Sequence, residues 1–159
     1  MGIQINVGDH VSPKAGFVAV PSDRLKTTQW VRTKAKAVAK GMPSADVYFK
    51  TLPGGRTLTQ LLADSSIWIN FGPSLVEFGL GQINGKELAL GPRAYKVGKW
   101  TVLATLIHEL AHLNGAPGGP GSVDTRAEVA LVHCGLGKKS ELTSGIDDPR
   151  TPYNPTFGG

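Results

Sequence analysis

The sequence predicts an α+β fold, in which a short, mostly antiparallel sheet packs on two helices. Three observations favour this fold. Short segments with alternating apolar residues, typical of strands, recur through the first ninety residues. A strongly apolar helical pattern then covers 99–114, and a second helix is predicted from Thr125 to about Cys134. Turns rich in Gly and Pro separate these segments, so most strands precede the two helices along the chain.

Six segments are predicted as strands, and the strongest is Ser-Ile-Trp-Ile-Asn-Phe at 66–71. The others are 3–7, 16–20, 46–50, 75–80 and 87–90. Asn84-Gly85, between the last two, predicts a hairpin turn. Trp68 and Phe71 are expected in the core, although their strand could also be the sheet edge that aligns an extended peptide.

The helices are placed by their capping residues. A helix is predicted over 22–40, with Ser22 or Asp23 as its N-cap, and a short helix over 58–64. Gly115 follows the apolar segment 99–114 at the position of a C-cap glycine. These signals divide the chain into short elements rather than into long helices.

The formal net charge of +5 is carried by the first third of the chain. Residues 1–50 contain eight Lys and Arg and three Asp, so 8 − 3 = +5. We interpret this basic segment as a solvated helix face, because no nucleic-acid motif accompanies it. Nucleic acid is therefore not an expected partner.

Cysteine content and hydropathy indicate the cellular compartment in which the protein is made. A single cysteine, Cys134, cannot form an internal disulfide, and no apolar stretch reaches membrane-spanning length. The first residues lack the charged and apolar regions of a signal peptide. We expect a soluble protein that is made in the cytoplasm without a signal peptide and that does not bind membranes. A dedicated secretion system could still export it.

His108-Glu109-Leu110-Ala111-His112 forms an H-E-x-x-H motif inside the predicted apolar helix. Residues i and i+4 lie on one helix face, so the two imidazoles can bind one zinc ion. Zinc lowers the pKa of a bound water and polarises a peptide carbonyl, and Glu109 can act as the general base. The motif predicts a zinc peptidase site with one ion per chain.

The motif does not fix the third protein ligand that a catalytic zinc site normally has. Extending the match to H-E-x-x-H-x-x-G suggests a metzincin, but Gly118 occupies the position of the third ligand in that group. A metzincin also needs a methionine downstream, and the methionines of this chain are Met1 and Met42. The metzincin interpretation is therefore rejected.

Glu128 is the preferred third ligand, because a His-His-Glu set on two helices is an established catalytic zinc arrangement. The sixteen residues from His112 to Glu128 contain a loop and a helix start, which is enough to bring the second helix against the first. Asp124, one turn earlier on the same face, is an alternative ligand or could orient a histidine. His133 is a second alternative, and Cys134 is expected to be a small buried hydrophobe.

Peptide hydrolysis also needs a donor that stabilises the developing oxyanion. Tyr153 is our candidate, because it lies in an irregular C-terminal tail that could fold over the cleft. Tyr95, Arg93 and Arg126 remain alternatives that the sequence does not rank.

The chain resembles the zincin metallopeptidases. More narrowly, residues 98–159 resemble the metallopeptidase domains at the ends of bacterial polymorphic toxins, including Rhs-type effectors. The residues that carry the resemblance are Leu106 to His112, Gly115 to Gly119, Ala127-Glu128, Cys134-Gly135 and Tyr153-Asn154-Pro155. The resemblance implies Glu128 as the third zinc ligand, in agreement with the helix argument.

We therefore expect one metallopeptidase domain over 1–159, with a catalytic core at about 65–136 and an irregular tail over 137–159. The expected function is hydrolysis of a peptide or protein substrate by a bacterial toxin or effector, with an immunity or inhibitor protein as a further partner. The alternative is a non-catalytic binding or interaction module in which zinc braces two helices. Four protein ligands close a structural zinc site, so coordination by His133 or Cys134 as well would favour that module.

Overall fold

The computed structural model describes residues 2–118 and 124–136. These residues form six helices and a small four-stranded mixed sheet, which confirms an α+β fold. The strands are β1 (Gln4–Ile5), β2 (Trp68–Phe71), β3 (Gly79–Gly81) and β4 (Glu87–Leu90). The helices are α1 (Ser22–Gly41), α2 (Pro43–Lys50), α3 (Leu58–Leu62), α4 (Pro92–Val97), α5 (Lys99–Leu113) and α6 (Arg126–His133). The predicted irregular tail at 137–159 lies outside the described residues.

The strand order in the sheet is β1-β2-β4-β3. β2 pairs in parallel with β1 and with β4, and only β3 and β4 pair antiparallel. The prediction of a mostly antiparallel sheet is therefore wrong. Helices α1, α2 and α3 connect β1 to β2, and such a crossover returns the chain in the same direction. From β2 the chain runs to the edge, forms β3, and turns back into β4 beside β2.

The position of β2 also corrects the interpretation of the strongest predicted strand. β2 lies between β1 and β4, so it cannot be the edge strand that receives a peptide. The edge strand next to β4 is β3. The hairpin prediction is confirmed, because Asn84 has a φ of 59° in the turn that joins β3 to β4.

Two other strand predictions are wrong. Residues 46–50 belong to α2, where Pro43 starts the helix and Ala45 and Phe49, one turn apart, are both fully buried. The segment 16–20 contributes only a single antiparallel bridge, between Val18 and Phe71. Both segments are short, and a short apolar pattern does not distinguish a strand from a helix or from a single bridge.

The helix predictions are correct in position and partly wrong in their caps. α1 follows Pro21 without a side-chain cap, so neither Ser22 nor Asp23 has the predicted capping role. α3 begins at a capping box, in which Thr57 and Gln60 bond each other's backbone N–H groups. α4 was not predicted. It starts at Pro92 directly after β4, at the first helical position that proline favours.

α5 is the central element of the fold. It contacts α1, α4 and α6 as well as strands β3 and β4, and every residue from Thr101 to Leu113 is buried. The helix is buried on every side, as expected of an element inside a core. Its polar residues share one face, and this face is buried as well: Thr101, Thr105, His108, Glu109 and His112. Among the described residues, no helix has both the length and the apolar character needed to cross a membrane.

A polar network lies at the start of the sheet, away from the histidine pair. The buried carboxylate of Glu87 accepts hydrogen bonds from His10 Nε2 at 2.9 Å and Asn70 Nδ2 at 3.1 Å. Asn6 Nδ2 donates to Asn70 Oδ1 at 2.8 Å, and the His10 ring stacks on Trp68. The network satisfies a buried carboxylate and fastens the segment after β1 to the sheet.

A second polar cluster surrounds Asp64, after α3. Its carboxylate accepts hydrogen bonds from Lys86 Nζ at 2.6 Å, Arg56 at 2.9 Å and the Ser66 backbone at 2.9 Å. Burial alone would raise the pKa of Asp64, but the hydrogen bonds from Lys86 and Ser66 outweigh it and hold the pKa below its usual value. The resulting stabilisation is present above the unfolded pKa of about 3.9 and is lost as the pH falls through the folded pKa.

We predict that Asp64→Asn lowers the free energy of unfolding by about 1 kcal/mol at pH 7, since solvent screens these partly exposed pairs. The difference from the wild type should shrink as the pH falls below about 4, because Asp64 then binds a proton more readily in the unfolded chain than in the folded protein, where its pKa is lowered. Urea unfolding of both proteins between pH 7 and pH 2 measures the difference in their free energies of unfolding. Asp23→Asn, exposed on α1, is the control and should change the free energy of unfolding by at most about 0.5 kcal/mol. A deficit independent of pH would contradict the prediction.

Candidate metal centre

The two histidines of the motif lie one turn apart on α5 and point to the same place. His108 is 2% exposed and His112 is 3% exposed. Their Nε2 atoms are 3.1 Å apart, and the rings meet edge to face with centroids 4.8 Å apart. The spacing of i and i+4 therefore produces the convergent pair that the sequence predicted.

The backbone after α5 fixes the orientation of His112. Gly115 has a φ of 89°, as expected of a C-cap glycine, and it turns the chain back toward the helix. The Ala116 carbonyl consequently accepts a hydrogen bond from His112 Nδ1 at 2.7 Å. A carbonyl can only accept, so Nδ1 carries the proton, and Nε2 of the neutral ring presents its lone pair.

Gly118 packs directly on the His112 ring. A Cβ at this position would lie 2.2 Å from His112 Cε1 and 2.9 Å from Nε2. No side chain fits there without movement of the imidazole. This contact gives a physical reason why the position cannot supply a metal ligand in the way that a metzincin would.

Glu109 is completely buried beside the histidine pair. Its Oε1 lies 3.8 Å from His108 Nε2, and neither carboxylate oxygen has a hydrogen-bond partner among the described residues. Burial raises the pKa of Glu109 well above its usual value, and the negative charges of Glu128 and Glu77 raise it further. The side chain is therefore a stronger base than an exposed glutamate.

Strand β3 approaches Glu109 closely because it contains two glycines. A Cβ on Gly81 would lie 2.9 Å from the Glu109 carbonyl oxygen and 3.1 Å from its Oε2. A Cβ on Gly79 would lie 2.6 Å from Thr105 Cγ2 and 3.2 Å from Glu109 Cγ. The edge of the sheet can thus lie against the motif helix at the carboxylate itself.

The ligand atoms of His108, Glu109 and His112 all lie within 4.8 Å of one another, so this buried group could hold a metal ion. The donor types fit one, since imidazole nitrogens and carboxylate oxygens bind divalent transition metals. Within residues 2–118 and 124–136 the buried oxygens of Glu109 have no hydrogen-bond donor, and the cost of a buried charge without a partner is high. A cation among these groups would offset that cost.

Glu128 lies on α6, which packs against α5. Its side chain is partly buried, and Oε2 is buried without a hydrogen-bond partner among the described residues. Its charge is near enough to raise the pKa of Glu109. Glu128 is therefore a neighbour of the three-residue group, although its carboxylate is not one of the atoms within 4.8 Å.

The two alternative ligands have other partners. The Asp124 carboxylate pairs with the Arg126 guanidinium at 2.9 Å, and the hydrogen bonds from Arg126 lower its pKa. The His133 ring stacks on Tyr48 with centroids 4.5 Å apart, and its carbonyl accepts a hydrogen bond from Ser44. Neither side chain belongs to the three-residue group.

The remaining predicted residues lie elsewhere. Cys134 is in the core, as expected, and burial raises the pKa of its thiol to about 12. The Tyr95 hydroxyl bonds Thr28 Oγ1 at 2.7 Å, and Arg93 is exposed on α4. Tyr153 lies outside the described residues. The structure thus does not bring any of these described side chains into the three-residue group of His108, Glu109 and His112, which we call the metal group.

The sequence reasoning missed several residues that shape the centre, namely Glu77, Gly79, Gly81 and Ala116. The Gly-Leu-Gly segment before the Asn84-Gly85 turn was a usable signal, because glycine inside a strand often marks a close backbone approach. No local pattern indicates that the Ala116 carbonyl would reach His112. That contact depends on the chain reversal at Gly115.

Comparisons of the chain with protein-family models, with curated proteins and with solved structures found no match. Arguments about function therefore rest on the motif and on the geometry of the buried group.

Proposed function

We propose that this chain is a zinc-dependent peptidase of the zincin type. The observation that carries the proposal is the buried group on α5. Its two imidazole Nε2 atoms converge at 3.1 Å beside a carboxylate that has no hydrogen-bond donor within the described part of the chain. The H-E-x-x-H motif supports the same chemistry, since it provides two metal ligands and a base on one helix. The toxin role implied by the family resemblance rests on sequence motifs alone.

Each residue has a distinct role in this proposal. His108 and His112 would hold the zinc through Nε2, with His112 oriented by the Ala116 carbonyl. A bound zinc supplies Lewis-acid chemistry, polarising a peptide carbonyl and acidifying water. Glu109 accepts the proton of the attacking water and passes it to the leaving amine. Burial, with the charges of Glu128 and Glu77, raises its pKa and makes it a stronger base for the first of these steps.

The position of β3 at the edge of the sheet supports a peptide substrate. Gln82 N–H donates to the Glu87 carbonyl, and Gly91 N–H donates to the Phe78 carbonyl. Hydrogen-bonded pairs alternate along an antiparallel ladder, so the backbone N–H and C=O of Leu80, between these two pairs, also point toward β4. The backbone groups of Gly79 and Gly81 consequently point away from the sheet. An extended peptide could add to this edge, next to Glu109.

Glu128 is the best candidate for the third zinc ligand. Its Oε2 is buried and has no hydrogen-bond donor among the residues that the structure describes, and its negative charge raises the pKa of Glu109. Asp124 and His133, in contrast, are engaged by Arg126 and Tyr48. With Glu128 as the third ligand, α5 and α6 together would supply a His-His-Glu set.

One observation favours the alternative of a non-catalytic module braced by zinc. The two histidines are only 2% and 3% exposed, as expected of a structural site. Such a site would need a fourth protein ligand, and neither Cys134 nor His133 belongs to the metal group. The base beside the histidines also has no function in a structural site, so we favour the peptidase.

Elemental analysis of the untagged protein tests the proposed site. We expect about one zinc per chain in the wild type and much less in Glu128→Ala, because a structured zinc site depends on each of its ligands. Asp124→Ala is the matched control and should keep its zinc. Wild-type protein should also hydrolyse an unfolded protein substrate, lose this activity to a chelator and regain it with zinc.

The other outcomes are equally informative. Zinc retained in Glu128→Ala but lost in Asp124→Ala or His133→Ala would assign the third ligand to that residue. Zinc without any hydrolysis would favour the braced module. A wild-type protein that binds no zinc after supplementation would remove the proposal.

A further inference from the structure

A groove of about 580 Å³ lies between α1, α2 and α3, and none of its lining residues belongs to the metal group. Its volume falls within the range of small-molecule sites, roughly 300–1,000 Å³. The buried side chains of Ala39 and Leu62 form an apolar floor. Pro43 and Ala63 extend the apolar surface toward the solvent. The groove is thus suited to an apolar ligand body.

Two lysines stand at the rim of this groove. Lys36 and Lys40 are both exposed, one turn apart on α1. Like charges at i and i+4 repel each other, and neither lysine forms an ion pair with a residue in the described ranges. An anion between the two ammonium groups would relieve this repulsion.

The lining also contains one carboxylate, from Asp46, and its oxygens are already engaged. Thr59 donates to them through its backbone N–H at 2.9 Å and its hydroxyl at 2.7 Å. Asp46 therefore does not neutralise the lysines by direct contact. Its charge does disfavour ligands with several negative charges, since the three groups together sum to +1.

We propose that this groove binds a small monocarboxylate with an apolar body, of the medium-chain fatty acid class. The carboxylate would pair with Lys36 and Lys40, and the hydrocarbon chain would lie on Ala39, Leu62 and Pro43. The single negative charge matches the net charge of the lining, and the apolar floor excludes a strongly hydrated anion such as phosphate. The proposal does not depend on the metal centre, so either can fail without the other.

Titration of the full chain with sodium decanoate tests this site, with binding followed by amide chemical shifts in NMR spectra. A chelator is present, so that the carboxylate cannot bind a metal ion. We expect saturable binding with a Kd below about 1 mM, or about −4 kcal/mol, with shifts at Ala39, Leu62 and Ala63. The double variant Lys36→Ala/Lys40→Ala should bind at least about tenfold more weakly, because the charge pairing is lost.

The matched control is Lys26→Ala/Lys50→Ala. It removes one exposed lysine from α1 and one from α2, neither of which lines the groove, and it should bind like the wild type. Decanol, which has the same chain without the charge, should bind more weakly than decanoate. Equal decanoate binding by the wild type and the Lys36/Lys40 double variant would overturn the proposal. So would tighter binding of inorganic phosphate than of decanoate, or no saturable shift at the groove.

Discussion

Replacing Glu109 with glutamine is expected to abolish peptide hydrolysis while the zinc content stays at about one per chain. The two side chains have nearly the same shape, so the histidine pair and its contact with the Ala116 carbonyl should survive. Glutamine cannot accept the proton of the attacking water. Loss of a general base costs about 10²–10⁴-fold in rate. Steady-state hydrolysis and elemental analysis of the same protein batches measure both quantities.

Glu77→Gln is the matched control for this variant. The charge of Glu77 raises the pKa of Glu109, but the base itself remains in the control. We expect most of the activity to survive, with the acidic limb of the pH–activity profile moved to lower pH, because a lower pKa leaves Glu109 ionised at lower pH. Full activity in Glu109→Gln would remove Glu109 from the mechanism. Loss of zinc in that variant would instead make Glu109 a ligand.

Local patterns predicted those elements whose structure depends mainly on neighbouring residues. The apolar segment before Gly115 predicted α5 almost to the residue, and the turn at Asn84-Gly85 predicted the hairpin between β3 and β4. Helical periodicity, a C-cap glycine and a hairpin dipeptide all act over a few residues. The motif histidines converge for the same reason, since i and i+4 share a face of any helix.

The strand order could not be read in this way. β4 pairs with both β2 and β3. Its pairing with β2 depends on the path that the chain takes between distant strands, and no pattern of neighbouring residues indicates that path. The antiparallel prediction failed because the three helices between β1 and β2 form a crossover that makes these strands parallel, and β4 then pairs in parallel with β2. The 46–50 prediction failed because a short segment with apolar residues suits either a strand or a helix, and Pro43, at a first helical position, begins α2.

In the candidate site, too, the part formed by neighbouring residues was predicted and the part formed by the returning chain was not. His108, Glu109 and His112 follow from one helix, whereas the support for His112 comes from the reversed chain at Ala116 and Gly118. Gly118 was considered in the sequence only as a position that lacks a ligand. The structure gives it a positive role, because the absence of a side chain is what allows the backbone to lie against the imidazole.

Gly118→Ala is therefore expected to weaken zinc binding by about 10–100-fold, although it removes no ligand. The added Cβ would lie 2.2 Å from His112 Cε1, so either the ring or the backbone must move. Movement of either disturbs the 2.7 Å hydrogen bond that holds His112 in the tautomer with Nε2 free to bind. Loss of such a supporting contact typically costs that factor in metal affinity. Competition with a zinc chelator measures it.

Gly41→Ala is the control for this substitution, since a Cβ there meets no atom within 4 Å. Its zinc affinity should equal that of the wild type. The metal-free form of Gly118→Ala should still unfold cooperatively, at a somewhat lower temperature than the wild type, because the added Cβ displaces a buried ring although Gly118 itself is partly exposed. Wild-type zinc affinity in Gly118→Ala would mean that the imidazole can move freely. In that case the contacts from Ala116 and Gly118 do not hold His112 for metal binding, and its geometry depends on α5 alone.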